Sequence, residues 1–154
     1  MMTKLICDVI ARLDGSTLSV AESCTGGMIG SLITAVPGSS RVFAGGVISY
    51  TNAVKASVLG VPEDLLSREG AVSAPVAEAM ASGVRKLTGS DFSISVTGLA
   101  GPSGDAFGNP VGTVYVGFAN ERETCFEKFC FSGDREAVRN QAAEAALSLL
   151  LKRI

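Results

Sequence analysis

The sequence offers serines, lysines and tyrosines for hydrolytic chemistry, and it contains no histidine. The missing histidine removes the Ser-His-Asp triad, the Cys-His pair and the usual zinc ligand sets together. A base must therefore come from lysine, carboxylate, tyrosine or backbone groups. A Ser–Lys pair is one of the few ways to activate a hydroxyl under that restriction, and it needs neither metal nor cofactor.

One candidate pair lies in the segment from Pro37 to Lys55. The run PGSS ends at Ser40 and enters a predicted strand, which delivers Tyr50 and then Lys55. A lone lysine on a short helix is usually solvated, and an ordinary lysine is neutral in only about one molecule in 2500 at pH 7. Lowering its pKa to 7–8 requires roughly 3–5 kcal/mol of differential interaction. Lys55 must therefore point into the protein if it acts as a base.

A second candidate segment runs from Glu22 to Gly27 (ESCTGG), where a strand is predicted to turn into a helix. Backbone N–H groups and the helix dipole at such a point attract anions, and glycines let a phosphate or carboxylate approach. Ser23, Thr25 and Gly26 are the candidate binding residues here. A tight turn with a capping serine or threonine is the alternative, which local chemistry alone favours.

A third segment is the long loop that begins at Thr97 and continues to Gly112. Long loops inside compact domains are usually functional or mobile, and this one could supply backbone N–H donors to a developing oxyanion. Thr97, Gly98 and Gly101 are the candidate residues. A plain connection between two strands is an equally good interpretation.

The fourth segment, FSGDREAVR, runs from a predicted strand into a helix start. Arg135 or Arg139 could hold a phosphate through two hydrogen bonds. A capped helix with surface arginines is the alternative, and it is favoured locally.

The elements that must position these residues alternate along the chain. Apolar periodicity predicts helices over 3–13, 25–35, 52–59 and 75–87, and a last helix capped by Asp134. Strands are predicted over 17–21, 41–50, 92–97, 112–119 and 124–131, and the Gly45-Gly46 pair suits a bulge or a close backbone approach. We therefore expect one domain over residues 1–154: a three-layer α/β/α sandwich with a mixed, partly antiparallel sheet.

The composition of the chain indicates which classes of partner and which cellular compartment to expect. With 13 basic and 15 acidic residues and no long basic run, generic nucleic-acid binding is not expected. No apolar run approaches membrane-helix length and no signal peptide is visible, so we expect a cytoplasmic protein without membrane contact. The four cysteines lack metal-type spacing, and we expect buried free thiols rather than disulfides.

Taken in order, these motifs resemble the CinA carboxy-terminal domain family, whose members include nicotinamide mononucleotide deamidases. The resemblance covers nearly the whole chain and rests on AESCTGG (21–27), PGSS (37–40), GGVISYTNAVKASVLGV (45–61), TGLAGPSG (97–104), NPVGTVYVG (109–117) and FSGDREAVR (131–139). It implies hydrolysis of nicotinamide mononucleotide to nicotinic acid mononucleotide and ammonia, by a homodimer.

The resemblance also implies site roles: Ser40 as nucleophile, Lys55 as base and Tyr50 assisting, with Ser23, Thr97 and Arg135 or Arg139 completing the pocket. Ser23 is the alternative nucleophile. Many relatives carry an additional amino-terminal domain, whose pyrophosphatase activity is not expected here. Two other functions stay open: a regulatory module that binds a nucleotide without turnover, and an amidase for another carboxamide.

Overall fold

The computed structural model describes residues 1–154 as one five-stranded sheet between two layers of helices. The predicted α/β/α fold with a mixed sheet is confirmed. The helices are α1 (Met2–Arg12), α2 (Met28–Thr34), α3 (Asn52–Ser57), α4 (Glu63–Glu69), α5 (Ala74–Thr88) and α6 (Arg135–Arg153). The strands are β1 (Leu18–Glu22), β2 (Phe43–Ile48), β3 (Phe92–Gly98), β4 (Thr113–Ala119) and β5 (Thr124–Cys130).

The sheet has the strand order β2-β1-β3-β4-β5. The strands β2, β1 and β3 are parallel, whereas β4 and β5 join as antiparallel neighbours, as predicted from the sequence for part of the sheet. Helix α5 packs on one face, and α6, with α1 and α2 beside it, packs on the other. Each face therefore has its own apolar core, the larger one under α1, α2 and α6.

The glycine pair in β2 serves both purposes that the sequence suggests. One extra residue, Ala44, lies between the partners of Leu18 and Ser19, which is a bulge. At Gly46 a Cβ atom would lie 2.7 Å from the carbonyl oxygen of Val20, so the backbones of β1 and β2 approach closely there. This close pairing brings the carboxyl ends of the two strands together.

Two helix predictions differ from the structure. Helix α2 begins at Met28 rather than at residue 25, because Gly26 and Gly27 adopt left-handed φ angles of 62° and 102°. Helix α4 follows Pro62 and lies between the predicted helices over 52–59 and 75–87, where the sequence predicts no helix. The first difference shortens a helix by about one turn and the second adds a helix of about two turns, and neither changes the layer order.

The four thiols are free, as expected, but only one of them is buried. Cys24 is buried, whereas Cys7 and Cys130 are exposed and Cys125 is intermediate. The expectation of four buried thiols is therefore wrong for three of them. No helix in the chain is both long enough and apolar enough to cross a bilayer.

The three parallel strands end at one edge of the sheet. Their last residues are Glu22, Ile48 and Gly98, and the predicted chemical segments follow directly. In open α/β sheets, ligands bind outside the carboxyl ends of the parallel strands. The fold thus brings segments that are distant in sequence to one edge.

Candidate functional site

A cleft of about 250 Å³ opens at this edge of the sheet. Ser23 and Cys24 line it after β1, Tyr50 after β2, and residues 97–101 and 103 at the end of β3. Lys55 and Arg135 supply positive charge, and no aspartate or glutamate lines the cleft. No group of three or more potential metal ligands is present elsewhere in the chain. The cleft is therefore a cationic pocket with a serine in its wall.

Lys55 points into the protein, which is the condition that the sequence sets for a lysine base. It lies on the short helix α3 and is only 1% exposed. Its Nζ atom lies 3.0 Å from Ser23 Oγ, 2.8 Å from the carbonyl oxygen of Ser49 and 3.3 Å from that of Tyr50. The side chain thus reaches from α3 to the turn after β1 and places its amine against a hydroxyl.

Burial lowers the pKa of Lys55 to about 8, because the ammonium loses hydration. The neighbouring Cys24 acts in the opposite direction, and no carboxylate pairs with the amine. With a pKa near 8, about one Lys55 in eleven is neutral at pH 7. A neutral amine is therefore available near physiological pH.

The polar contacts of Lys55 also fix where its lone pair points when it is neutral. A neutral amine has two N–H donors and one lone pair, and carbonyl oxygens can only accept hydrogen bonds. The carbonyl groups of Ser49 and Tyr50 take the two donors. The lone pair is left for the third neighbour, Ser23 Oγ, whose proton it can accept.

The predicted pairing of Ser40 with Lys55 is corrected to Ser23 with Lys55. Ser40 lies in a 3₁₀ turn (Ser39–Arg41) before β2 begins, whereas Lys55 follows the opposite end of that strand. The six residues of β2 span about 20 Å, so the side chains of Ser40 and Lys55 cannot contact each other within one chain. Ser40 is also exposed and does not line the cleft.

The expected anion site at the start of α2 is already filled by the chain itself. The Glu22 carboxylate, only 2% exposed, accepts hydrogen bonds from the N–H groups of Gly27 at 3.2 Å, Ile29 at 2.9 Å and Gly30 at 3.0 Å. These donors are the ones that an external phosphate would need. The same bonds hold the carboxylate against α2 and leave Lys55 without an acidic partner.

Thr25 and Gly26 do not line the cleft, so their expected role in binding substrate is revised. Thr25 is fully buried, and its hydroxyl has no hydrogen-bond partner in the chain. Gly26 faces the guanidinium of Arg139. Arg139 itself donates from Nε to the carbonyl of Cys24 and from Nη2 to that of Thr25, both at 3.0 Å. Its donors therefore serve the backbone rather than a phosphate.

Of the two candidate arginines, Arg135 lines the cleft and Arg139 does not. Its Nη1 donates to the carbonyl of Gly101, and its Nη2 lies 3.2 Å from the hydroxyl of Tyr50. No carboxylate lies within ion-pair distance of it. An unpaired guanidinium at the cleft is suited to hold an anionic group.

Thr97 lines the cleft with a hydroxyl group whose proton is already used in a hydrogen bond. Its Oγ1 donates to the carbonyl oxygen of Ala71 at 2.8 Å, and the side chain is 1% exposed. A hydroxyl has one proton, so a group in the cleft meets only the lone pairs of this oxygen. Thr97 is therefore suited to accept a hydrogen bond from an amide NH₂ group.

The cleft also presents backbone donors. Cys24 and Ala100 line it, and their backbone N–H groups donate to no other residue of the chain. Gly98 and Gly101, as predicted, also line it, and Gly101 has a left-handed φ of 102°. Free N–H groups beside a nucleophile can stabilise the oxyanion of a tetrahedral intermediate.

Comparison with known proteins gives a consistent result. A family model described as the CinA C-terminal domain matches residues 2–154. A CinA-like protein of Desulfotalea psychrophila is 51% identical over 136 residues, covering 88% of this chain and 33% of that protein. A CinA-like protein of Geotalea uraniireducens is 48% identical, covering 93% of this chain and 34% of that protein. The chain thus spans about one third of the length of these curated relatives.

Solved structures agree. A competence-damaged protein (CinA) superfamily protein from Escherichia coli superposes with a TM-score of 0.97 at 33% identity, covering 100% of this chain and 91% of that one. A competence/damage inducible protein from Agrobacterium tumefaciens gives a TM-score of 0.94 at 33% identity, covering 98% and 94%.

Proposed function

Because the chain belongs to the CinA C-terminal domain family, we propose that it hydrolyses the carboxamide of nicotinamide mononucleotide to the carboxylate and ammonia. The observation that carries this proposal is the 3.0 Å contact between Lys55 Nζ and Ser23 Oγ in the wall of a cationic cleft. The substrate class comes from the family resemblance. The residue roles come from the contacts of this chain.

The first half of the reaction forms an acyl-enzyme. Ser23 Oγ attacks the amide carbon while neutral Lys55 takes the hydroxyl proton, and the carbonyl electron pair moves to oxygen. Backbone N–H groups of Cys24 and Ala100 stabilise that oxyanion. When the oxyanion collapses, the C–N bond breaks and the Lys55 ammonium gives its proton to the departing nitrogen, which leaves as ammonia.

The second half hydrolyses the ester that links Ser23 to the substrate acyl group. Lys55, neutral again, takes a proton from a water molecule that attacks the ester carbon. The C–O bond to Ser23 breaks, and Ser23 recovers its proton from Lys55. The product is the carboxylate of the mononucleotide.

Two features of the cleft support a carboxamide on an anionic substrate. Thr97 offers only lone pairs, which match the NH₂ group of an amide and repel the oxygen of a carboxylate product. Arg135 has no acidic partner and suits the phosphate group. Tyr50 assists through two contacts, since its hydroxyl contacts Arg135 and its carbonyl accepts from Lys55.

The deciding experiment incubates purified protein with nicotinamide mononucleotide and measures ammonia and the acid product. Ser23→Ala should lower kcat by at least about a thousandfold, as expected when a nucleophile is removed. Ser67→Ala, an exposed serine on α4, is the matched control and should keep the wild-type rate. Tight nucleotide binding without product would favour a binding module, and activity on other amides alone would favour a different amidase. A Ser23→Ala protein that turns over normally while Ser40→Ala is inactive would refute the nucleophile assignment.

A further inference from the structure

Arg139 holds the turn that carries the proposed nucleophile. It lies on the second turn of α6, far along the chain, and donates to two consecutive carbonyl groups, those of Cys24 and Thr25, at 3.0 Å each. No carboxylate lies within ion-pair distance of its guanidinium, and it does not line the cleft. Its donors are thus directed at backbone oxygens.

By fixing these carbonyl groups, Arg139 also fixes the orientation of the N–H groups in the same peptide planes. In a trans peptide, the C=O and N–H groups point in opposite directions. Arg139 fixes the carbonyl of Thr25, so it also fixes the N–H of Gly26 in the same peptide plane. That N–H donates to the carbonyl of Ser23 at 3.1 Å, which in turn orients the N–H of Cys24. The last group in this series is the N–H of Cys24, a lining residue of the cleft whose N–H donates to no other residue.

We infer that Arg139 is a positioning residue: it fixes the turn 23–26 so that the Cys24 N–H points at the oxygen on which negative charge develops. This inference rests on the proposed amide hydrolysis. The residue that follows Ser23 then supplies an oxyanion donor, and the donor is rigid before substrate arrives. Preorganised donors of this kind contribute most when they need no rearrangement during the reaction.

The planar guanidinium is what this role requires. Its Nε and Nη2 donors lie side by side and reach two adjacent carbonyls at once, whereas a lysine ammonium is a single point that cannot span both in the same way. The guanidinium packs against Gly26, which has a left-handed φ of 62°: a Cβ there would lie in ordinary contact with Nη2, at 3.6 Å. Arg139→Lys therefore keeps the charge and loses the two-point grip.

The test compares Arg139→Lys with wild type by three constants: kcat and KM for nicotinamide mononucleotide, and Ki for the analogue in which an aldehyde replaces the carboxamide. Ser23 Oγ adds to the aldehyde carbon, its proton passes to Lys55, and the carbonyl pair becomes an alkoxide at the oxyanion position. We expect kcat to fall about 10- to 100-fold and Ki to rise in parallel, with KM within about threefold. KM and Ki do not depend on the folded fraction, so partial unfolding cannot imitate this pattern.

The matched control is Arg153→Lys, the same substitution on the same helix at an exposed residue that pairs with Glu123; all three constants should stay at wild-type values. Arg139→Gln provides a second variant, which should show the same parallel change. Unchanged kcat and Ki in Arg139→Lys would overturn the inference, and so would an equal rise of KM and Ki, which indicates ground-state binding.

The failure of the proposed function is a separate outcome. If wild-type protein releases no ammonia, the positioning of the turn is measured by amide hydrogen exchange at Gly26, whose N–H bonds to Ser23. We expect exchange at least about tenfold faster in Arg139→Lys, because the Thr25 carbonyl, which shares a peptide plane with this N–H, is released. An unchanged exchange rate would overturn the inference without reference to activity.

Discussion

The pH dependence of the reaction should report Lys55 directly. Burial lowers the pKa of this lysine from 10.5 to about 8. At pH 7, the neutral fraction is then about one in eleven, against about one in 2500 for an ordinary lysine, a gain of roughly 200-fold. Since only the neutral amine accepts the Ser23 proton, kcat/KM should rise about tenfold per pH unit well below pH 8 and level off above it.

The assay measures initial rates of ammonia release from nicotinamide mononucleotide between pH 6 and pH 9.5. Lys55→Met, which fills the same space without an amine, should remove the pH-dependent activity. The pKa can also be followed independently by NMR titration of the Lys55 side chain in the free protein. A profile that is flat through pH 8, or an acid limb that survives in Lys55→Met, would refute the assignment of Lys55 as the base.

The same pKa shift has a consequence for stability. Lys55 has a lower pKa in the folded than in the unfolded state, so below about pH 8 both states are protonated and the fold carries the full burial penalty. Between about pH 8 and 10.5 the folded state releases the proton first, and the penalty, about 3 kcal/mol in total, is progressively relieved. The difference in free energy of unfolding between wild type and Lys55→Met should follow this window in urea titrations. A pH-independent difference would contradict the shift.

Three further substitutions test other parts of the structure. Arg135→Ala should raise KM for nicotinamide mononucleotide about tenfold or more and leave KM for the phosphate-free nucleoside unchanged, and equal effects on both would exclude a phosphate role. Thr97→Val should lower kcat/KM about tenfold through loss of the amide acceptor, and a neutral result would show that the NH₂ group is bound elsewhere. Gly83→Ala should destabilise the fold by about 1–3 kcal/mol in urea unfolding, because the new methyl group overlaps the carbonyl oxygen of Leu59. A free helix would instead gain about 1 kcal/mol from that change, so a stabilised protein would contradict the packing described for α5.

The order of helices and strands follows from the sequence because the periodic segments are long. The 15-residue helix α5 and the 19-residue α6 each bury a row of apolar residues. Gly89 ends α5, and α6 has its predicted cap, Asp134, whose side chain accepts from Ala137 N at 2.9 Å. The seven-residue helix α4 was missed because two turns after a proline are too short for a periodic signal.

The catalytic pairing was harder to predict than the fold. Sequence proximity favours Ser40 as the partner of Lys55, but a parallel sheet places the residues before and after one strand at opposite edges. Ser23 is farther away in sequence, yet it follows the neighbouring strand β1 and so shares the edge with Lys55. Ser23 could have been found from the rule that ligand sites lie at the carboxyl ends of parallel strands. That rule carries more weight than the distance between Ser40 and Lys55 along the chain.

The three hydrogen bonds that the start of α2 donates to the Glu22 carboxylate occupy an acidic group that does not pair with the Lys55 amine. Glu22 directly precedes the serine that Lys55 contacts, and an ion pair between the two side chains would raise the pKa of the lysine and keep it protonated. Backbone N–H groups engage the carboxylate, and the amine contacts only neutral groups. Burial, with no acidic partner to oppose it, lowers the pKa of Lys55 to about 8, and this value sets the pH range in which the amine can act as the proposed base.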